Sequence, residues 1–204
     1  MAMNTCDDIA TSLMEADGSV LVLVDIQDHF LNKVGHAVSR TLVSRTAWLV
    51  RVAGCLGVPV VVMGEDMANV GPVSRGILDA LPAGAAVHDK DFYNLADNPH
   101  ILAAVEATGR RTAVVAGLET DVCVAQSALG LLGAGYGVVV LRDAVATTPG
   151  GQDIGLARMR GAGALISSVK AVFYEWTRGV SNCRDLRQRF PESALALRPD
   201  ELAF

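Results

Sequence analysis

Thr112-Ala-Val-Val-Ala-Gly-Leu-Glu-Thr-Asp-Val-Cys-Val-Ala125 is the stretch on which the reading of this chain turns. Thr112–Ala116 is short, apolar and β-branched, the pattern of a buried strand. Gly117 interrupts it. Thr120 and Asp121 are good helix N-cap residues, and Val122–Leu132 then reads as an apolar helix. The unit is strand, tight turn, helix, with Cys123 in the first helical turn. Free N–H groups and the helix dipole favour an anion there, so the position predicts a lowered thiol pKa. The same N–H groups suit a developing oxyanion. A small buried core cysteine is the competing reading of Cys123 taken alone.

Working outward, the alternation continues on both sides. Val20–Val24 is an apolar strand ending at Asp25. Such a run suits a parallel strand covered on both faces. Asp25 either terminates that strand or stands as a carboxylate at the edge where open α/β sheets bind ligands. Ser39–Gly54 has helical spacing, and Val60–Met63 is a second strand. Glu65 and Asp66 follow it and read as solvated loop charges, the alternative being acids that favour a cationic or hydrogen-bond-donating substrate. Ala85–His88 is a weaker third strand, followed by Lys90, a surface charge or a cation at the same edge. Residues 100–108 form the next helix. Val138–Leu141 and Ala164–Ser167 complete the strands, separated by a helix over Gln152–Gly161. Lys170–Arg178 and Asp185–Arg189 read as terminal helices.

The pattern predicts a three-layer α/β/α fold, Rossmann-like, with a doubly wound, mainly parallel six-stranded sheet. The domain is expected over 19–190, with a lead-in at 1–18 and an extension at 191–204. The chain has 204 residues, enough for one such core.

Composition excludes several classes. Net charge is −5 and the basic residues are scattered, so no nucleic-acid partner is expected. No apolar run reaches about 18 residues, so no membrane partner is expected. The acidic residues near the start do not make a secretory signal, which points to the cytoplasm. The four cysteines are far apart and show neither zinc nor disulfide spacing. His29, His36, His88 and His100 show no ligand spacing, and Gly130–Gly135 follows a helix and is no dinucleotide fingerprint. No cofactor or metal is implied.

Asp25, Lys90 and Cys123 thus fall after three parallel strands at one sheet edge: a carboxylate, a cation and a nucleophile. At these residues the sequence resembles the isochorismatase-like cysteine hydrolases, over about 20–178. The most specific part is Ala116-Gly-Leu-Glu-Thr-Asp-Val-Cys-Val124, followed by Ala134-Gly-Tyr136 and Asp143-Ala. Leu23-Val-Asp-Ile-Gln-Asp-His-Phe30 and Lys90 with Tyr93-Asn94 are the other anchors. Asn94-Leu-Ala-Asp-Asn-Pro99 with Ala107-Thr-Gly-Arg110 is most similar to the YcaC-like branch.

The resemblance implies an Asp25-Lys90-Cys123 triad and a non-proline cis peptide at Leu118–Glu119. It also implies an oxyanion hole from the N–H groups of Glu119 and Cys123. It implies hydrolysis of a C–N bond in a small amide, carbamoyl or imide substrate through a thioester. Family members that cleave a vinyl ether lack the cysteine, so its presence argues for the amide-type reaction. Vinyl-ether hydrolysis and a non-catalytic oligomeric binding protein are the alternatives. Nicotinamidases of the family hold a metal through Asp-x-His after the second strand, where this chain reads Met63-Gly-Glu-Asp-Met-Ala-Asn69, without histidine. Gln27, Phe30, Tyr93, Asn94, Leu118 and Thr147 are candidate substrate contacts from their places beside the triad. A small-molecule substrate and a homo-oligomer are the expected partners.

Overall fold

The computed structural model describes residues 12–190. Cys6, the rest of the lead-in up to residue 11 and the expected extension 191–204 lie outside the described residues. The strands are β1 (Ser19–Val24), β2 (Val60–Glu65), β3 (Val87–Lys90), β4 (Thr112–Leu118), β5 (Gly137–Ala146) and β6 (Leu165–Ser167). They form one parallel sheet in the order β3-β2-β1-β4-β5-β6. Strand order therefore reverses between β1 and β4, and the crevice outside their carboxyl ends is where such sheets bind ligands.

The longer helices are α1 (His36–Leu56), α2 (Pro99–Ala107), α3 (Ala125–Gly133), α4 (Gln152–Gly161), α5 (Val169–Thr177) and α6 (Val180–Arg189). Side chains alternate along a strand, so each strand feeds two cores. Leu21, Leu23, Val114, Ala116, Val139 and Leu141 pack with Trp48, Leu49, Phe173 and Trp176 of α1 and α5. Val20, Val22, Ala113, Val115, Val138 and Val140 pack with Ile101, Val105, Ala128, Leu131 and Met159 of α2, α3 and α4. The sheet is a middle layer, and its strands are apolar on both faces for that reason. The Trp48 and Phe173 rings meet edge-on with centroids 5.1 Å apart.

Three boundaries differ from the sequence reading. β2 continues through Gly64 to Glu65, and β3 ends on Lys90, so both residues are strand ends rather than loop residues. β4 continues through Gly117 to Leu118, with a register irregularity against β5 between Val115 and Gly117. Gly117 is needed there because its φ is +142° and the Val24 backbone lies against its Cα. Thr120 and Asp121 do not cap a helix. Glu119 precedes a π-helical turn over Thr120–Val124, and α3 starts only at Ala125.

Candidate active site

β1 delivers Asp25 to the switch point. Its backbone turns into the left-handed region (φ 50°), which aspartate tolerates better than most residues. Its N–H donates to the Met63 carbonyl of β2 at 3.1 Å. β3 delivers Lys90, and the π-helical turn after β4 delivers Cys123. Such turns recur at functional sites because they redirect one residue out of a helical run. The peptide Leu118–Glu119, just before that turn, is cis.

The structure brings the three residues into one cluster. Asp25 and Lys90 are fully buried and Cys123 nearly so. Lys90 Nζ lies 3.0 Å from Asp25 Oδ2 and 3.6 Å from Cys123 Sγ. It also donates to the Tyr93 carbonyl at 3.4 Å. A fourth member joins them: Cys123 Sγ donates to Glu65 Oε2 at 3.3 Å, and the same oxygen is 3.7 Å from Lys90 Nζ. Glu65 is thus a member of the centre and not the solvated loop charge the sequence suggested.

Burial and charge set the protonation states. Burial raises the Asp25 pKa to about 6, with the Lys90 ammonium opposing the rise. Burial alone would lower Lys90, but Asp25, Cys123 and Glu65 raise it overall, so it stays cationic. Burial pushes the Cys123 thiol well up, and Asp25 adds to this against Lys90. The lowered thiol pKa expected from the helix start is therefore reversed. A helix terminus supplies only about half a unit charge. Desolvation and two facing carboxylates outweigh it.

Asp25, Glu65 and Cys123 are also the group, among the described residues, whose ligand atoms lie within 4.8 Å of one another. A divalent cation does not fit this set. The Lys90 ammonium already contacts all three, and a second cation there meets it at close range.

The sequence-predicted substrate contacts divide. Tyr93 is exposed, with its ring centred 5.8 Å from Lys90 Nζ. Phe30 and Leu118 are buried in the α1-side core. Gln27 is fully buried and its amide is consumed by backbone. It donates to the carbonyls of Glu65 (2.9 Å) and Gly71 (2.6 Å) and accepts from Glu65 N–H (2.8 Å). It positions Glu65 and offers no donor to a ligand. Asn94 accepts from Ala96 N–H at 3.0 Å and fills the notch at Gly130, where a Cβ would lie 2.8 Å from its Cγ. Thr147 donates to Asp121 Oδ1 at 2.7 Å. Gln27, Asn94 and Thr147 thus each brace the protein around the cluster.

The bracing residues hold the turn that carries Cys123 and the segment that follows Lys90. Thr120 Oγ1 donates to Gln152 Oε1 at 2.7 Å, and Asp121 is held by Thr147 against Gly151, tying the turn to the start of α4. Asn98 accepts from Asp91 and Phe92 N–H and donates to the Phe92 and Asn94 carbonyls. Ser127 Oγ accepts from Leu95 N–H and donates to the Tyr93 carbonyl. Neither Asn98 nor Ser127 stood out in the sequence. The Asn98-Pro99 pair was the available signal, and it reads as a helix start.

A parallel α/β sheet with a buried thiol, carboxylate and ammonium gathered at the carboxyl ends of its strands defines the class: an α/β protein with a cysteine-containing polar centre. The isochorismatase domain model matches residues 19–171, and the chain belongs to that family. The secreted isochorismatase effector Isc1 of Phytophthora sojae is 31% identical over 170 residues, covering 80% of this chain and 79% of its own. The structure of YcaC from Pseudomonas aeruginosa with hexane-2,5-diol and covalent acrylamide is 26% identical. It superposes with a TM-score of 0.79 and covers 93% of this chain and 96% of that one. The Escherichia coli YcaC gene product, an octameric hydrolase of unknown specificity, is 24% identical. Its TM-score is 0.76 over 88% of this chain and 92% of that one. Among the described residues no helix is long and apolar enough to cross a membrane.

Proposed function

We propose that the chain is a cysteine hydrolase that cleaves a C–N bond of a small amide, carbamoyl or imide substrate through a thioester on Cys123. One observation carries the reading: Cys123 Sγ lies in a buried cluster with Lys90, which is itself ion-paired to Asp25 at 3.0 Å. A core cysteine has no use for an enclosed ion pair at its sulfur, since burying charges is costly.

The resting nucleophile is a neutral thiol. Asp25 takes its proton as the S–C bond forms at the substrate carbonyl, a step in which a positioned base contributes about 10²–10⁴ in rate. The oxyanion is held by the N–H groups of Glu119 and Cys123, and losing one such donor costs about 10²–10³. Collapse breaks the C–N bond, and the departing nitrogen takes the proton from Asp25. Water then gives a proton to Asp25 and adds to the thioester carbonyl. The sulfur leaves, recovers that proton, and the acid is released. Lys90 stays positive throughout and stabilises Asp25 and the developing thiolate.

The test is a screen for ammonia or amine release over small amides, ureido acids and imides. Release by the wild type, and its loss in Asp25→Asn and Lys90→Ala, supports the reading. Failure across the panel counts against it. A second reading is favoured by the raised Asp25 pKa: vinyl-ether hydrolysis with protonated Asp25 as general acid. It predicts activity on a vinyl ether that survives Cys123→Ala.

A further inference from the structure

Glu65 is the member of the cluster that faces outward. Its side chain keeps 21% of its surface exposed, whereas those of Asp25 and Lys90 keep none. Oε2 is occupied by the Cys123 thiol at 3.3 Å and by Lys90 at 3.7 Å. Oε1 receives no hydrogen bond from the described residues. The carboxylate is also held in place. Gln27 brackets the Glu65 backbone on both sides, through its N–H and its carbonyl. Gly64 lets this happen, because a Cβ there would lie 3.2 Å from Gln27 Cδ and 2.9 Å from Met67 Cγ. The neighbouring acids are engaged elsewhere: Asp66 with Asn69, and Asp89 with Met67 N–H.

Charge points the same way. With a neutral thiol, two carboxylates against one ammonium leave the centre net negative, and the negative group nearest solvent is Glu65. A molecule bound at Cys123 Sγ lies beside it, since Oε2 is 3.3 Å from that sulfur. We propose that Glu65 is the substrate-recognition residue of this centre. Its carboxylate accepts an N–H from a neutral or cationic nitrogen carried beside the carbon that Cys123 attacks, and it repels a substrate with a carboxylate at that place. Primary amides, ureides and amidine-like groups fit; α-carboxylates do not. The proposal rests on Cys123 being the reacting atom, and it does not require the hydrolytic steps.

Paired alkylation separates the two. Iodoacetamide and iodoacetate each form an S–CH₂ bond at cysteine and expel iodide, while the thiol proton goes to solvent. One carries an amide N–H and the other a carboxylate. Rates at Cys123 and at the partly exposed Cys55 are read peptide by peptide by mass spectrometry at mildly alkaline pH. A hydrogen bond to a charged group discriminates by about 10- to 100-fold. The iodoacetamide-to-iodoacetate ratio at Cys123 should exceed that at Cys55 by at least about tenfold. Glu65→Gln should bring it close to the Cys55 value, and Glu65→Asp should keep part of it.

Each ratio is internal to one protein, so a general loss of reactivity cancels. A Cys123 ratio no higher than that of Cys55 overturns the proposal. So does an unchanged ratio in Glu65→Gln, or a Cys123 that iodoacetamide fails to label. If the ratios behave while the ammonia screen stays negative, recognition stands and hydrolysis falls.

Discussion

Replacing Gly117 by alanine adds one methyl group at the point where β4 passes closest to β1. At Gly117 the backbone φ is +142°, a region that is strained for residues with a side chain. The new Cβ would lie 2.7 Å from the Val24 carbonyl carbon and 2.9 Å from its nitrogen, against an ordinary contact of 3.4 Å or more. The colliding atoms are backbone, so no side-chain rotation relieves them. Strain of about 1–3 kcal/mol and overpacking of about 1–3 kcal/mol give a loss of about 2–6 kcal/mol. For a chain of this size that is a drop in Tm of about 5–20 °C.

The displacement falls beside Val24 and Leu118, the residues leading into Asp25 and the cis peptide, so function suffers with stability. Thermal unfolding by circular dichroism reads the first effect. The rate of Cys123 alkylation, measured well below the variant's own Tm, reads the second. An alanine variant with the wild-type Tm and the wild-type Cys123 rate refutes the reasoning.

Other consequences are more local. Asp25 must be ionised to receive the thiol proton, and its pKa lies at about 6. The rate of C–N cleavage should therefore fall as pH is lowered through about 6 and level off above it. A kcat/KM profile flat from pH 5 to 8 contradicts this role. Gln27→Leu strands the Glu65 N–H and carbonyl and the Gly71 carbonyl. Each buried orphan costs about 1–3 kcal/mol, less where water reaches it. We expect a destabilisation of about 2–4 kcal/mol in urea unfolding and a reduced iodoacetamide preference at Cys123. Retained stability and preference show that the clamp does not hold Glu65.

Much of this was legible in the sequence because parallel strands are buried on both faces. Val20–Val24 and Thr112–Ala116 are continuous apolar runs, and whatever polar residue follows such a run stands at the ligand edge of the sheet. Asp25 and Cys123 were found that way, and the approach reached Lys90 even though β3 is short and half polar. Glu65 was legible only as a second choice behind a solvated loop charge, because Gly64 reads as a strand terminator. In the structure that glycine is a strand residue kept small so that Gln27 can approach.

The amide and hydroxyl side chains show a second limit. Gln27, Asn94 and Thr147 sit beside the triad in sequence, but Gln27 spends both amide donors on backbone carbonyls, Asn94 Oδ1 accepts from Ala96 and the Thr147 hydroxyl donates to Asp121. Only three-dimensional partners reveal such engagement. The thiol shows a third. The helix start was visible in the sequence, whereas the two carboxylates that outweigh it come from β1 and β2, about 100 and 60 residues away in the chain.

The central claim is that Cys123 forms a covalent thioester during C–N cleavage. Its most direct test uses a substrate from the ammonia-release screen. Wild-type enzyme is acid-quenched during turnover and its intact mass and peptides are measured, beside the steady-state rate of Cys123→Ala. An acyl mass is expected on the Cys123 peptide, with a rate in the alanine variant lower by about 10³ or more, as when a nucleophile is removed. A Cys123→Ala enzyme that releases ammonia at close to the wild-type rate contradicts the claim.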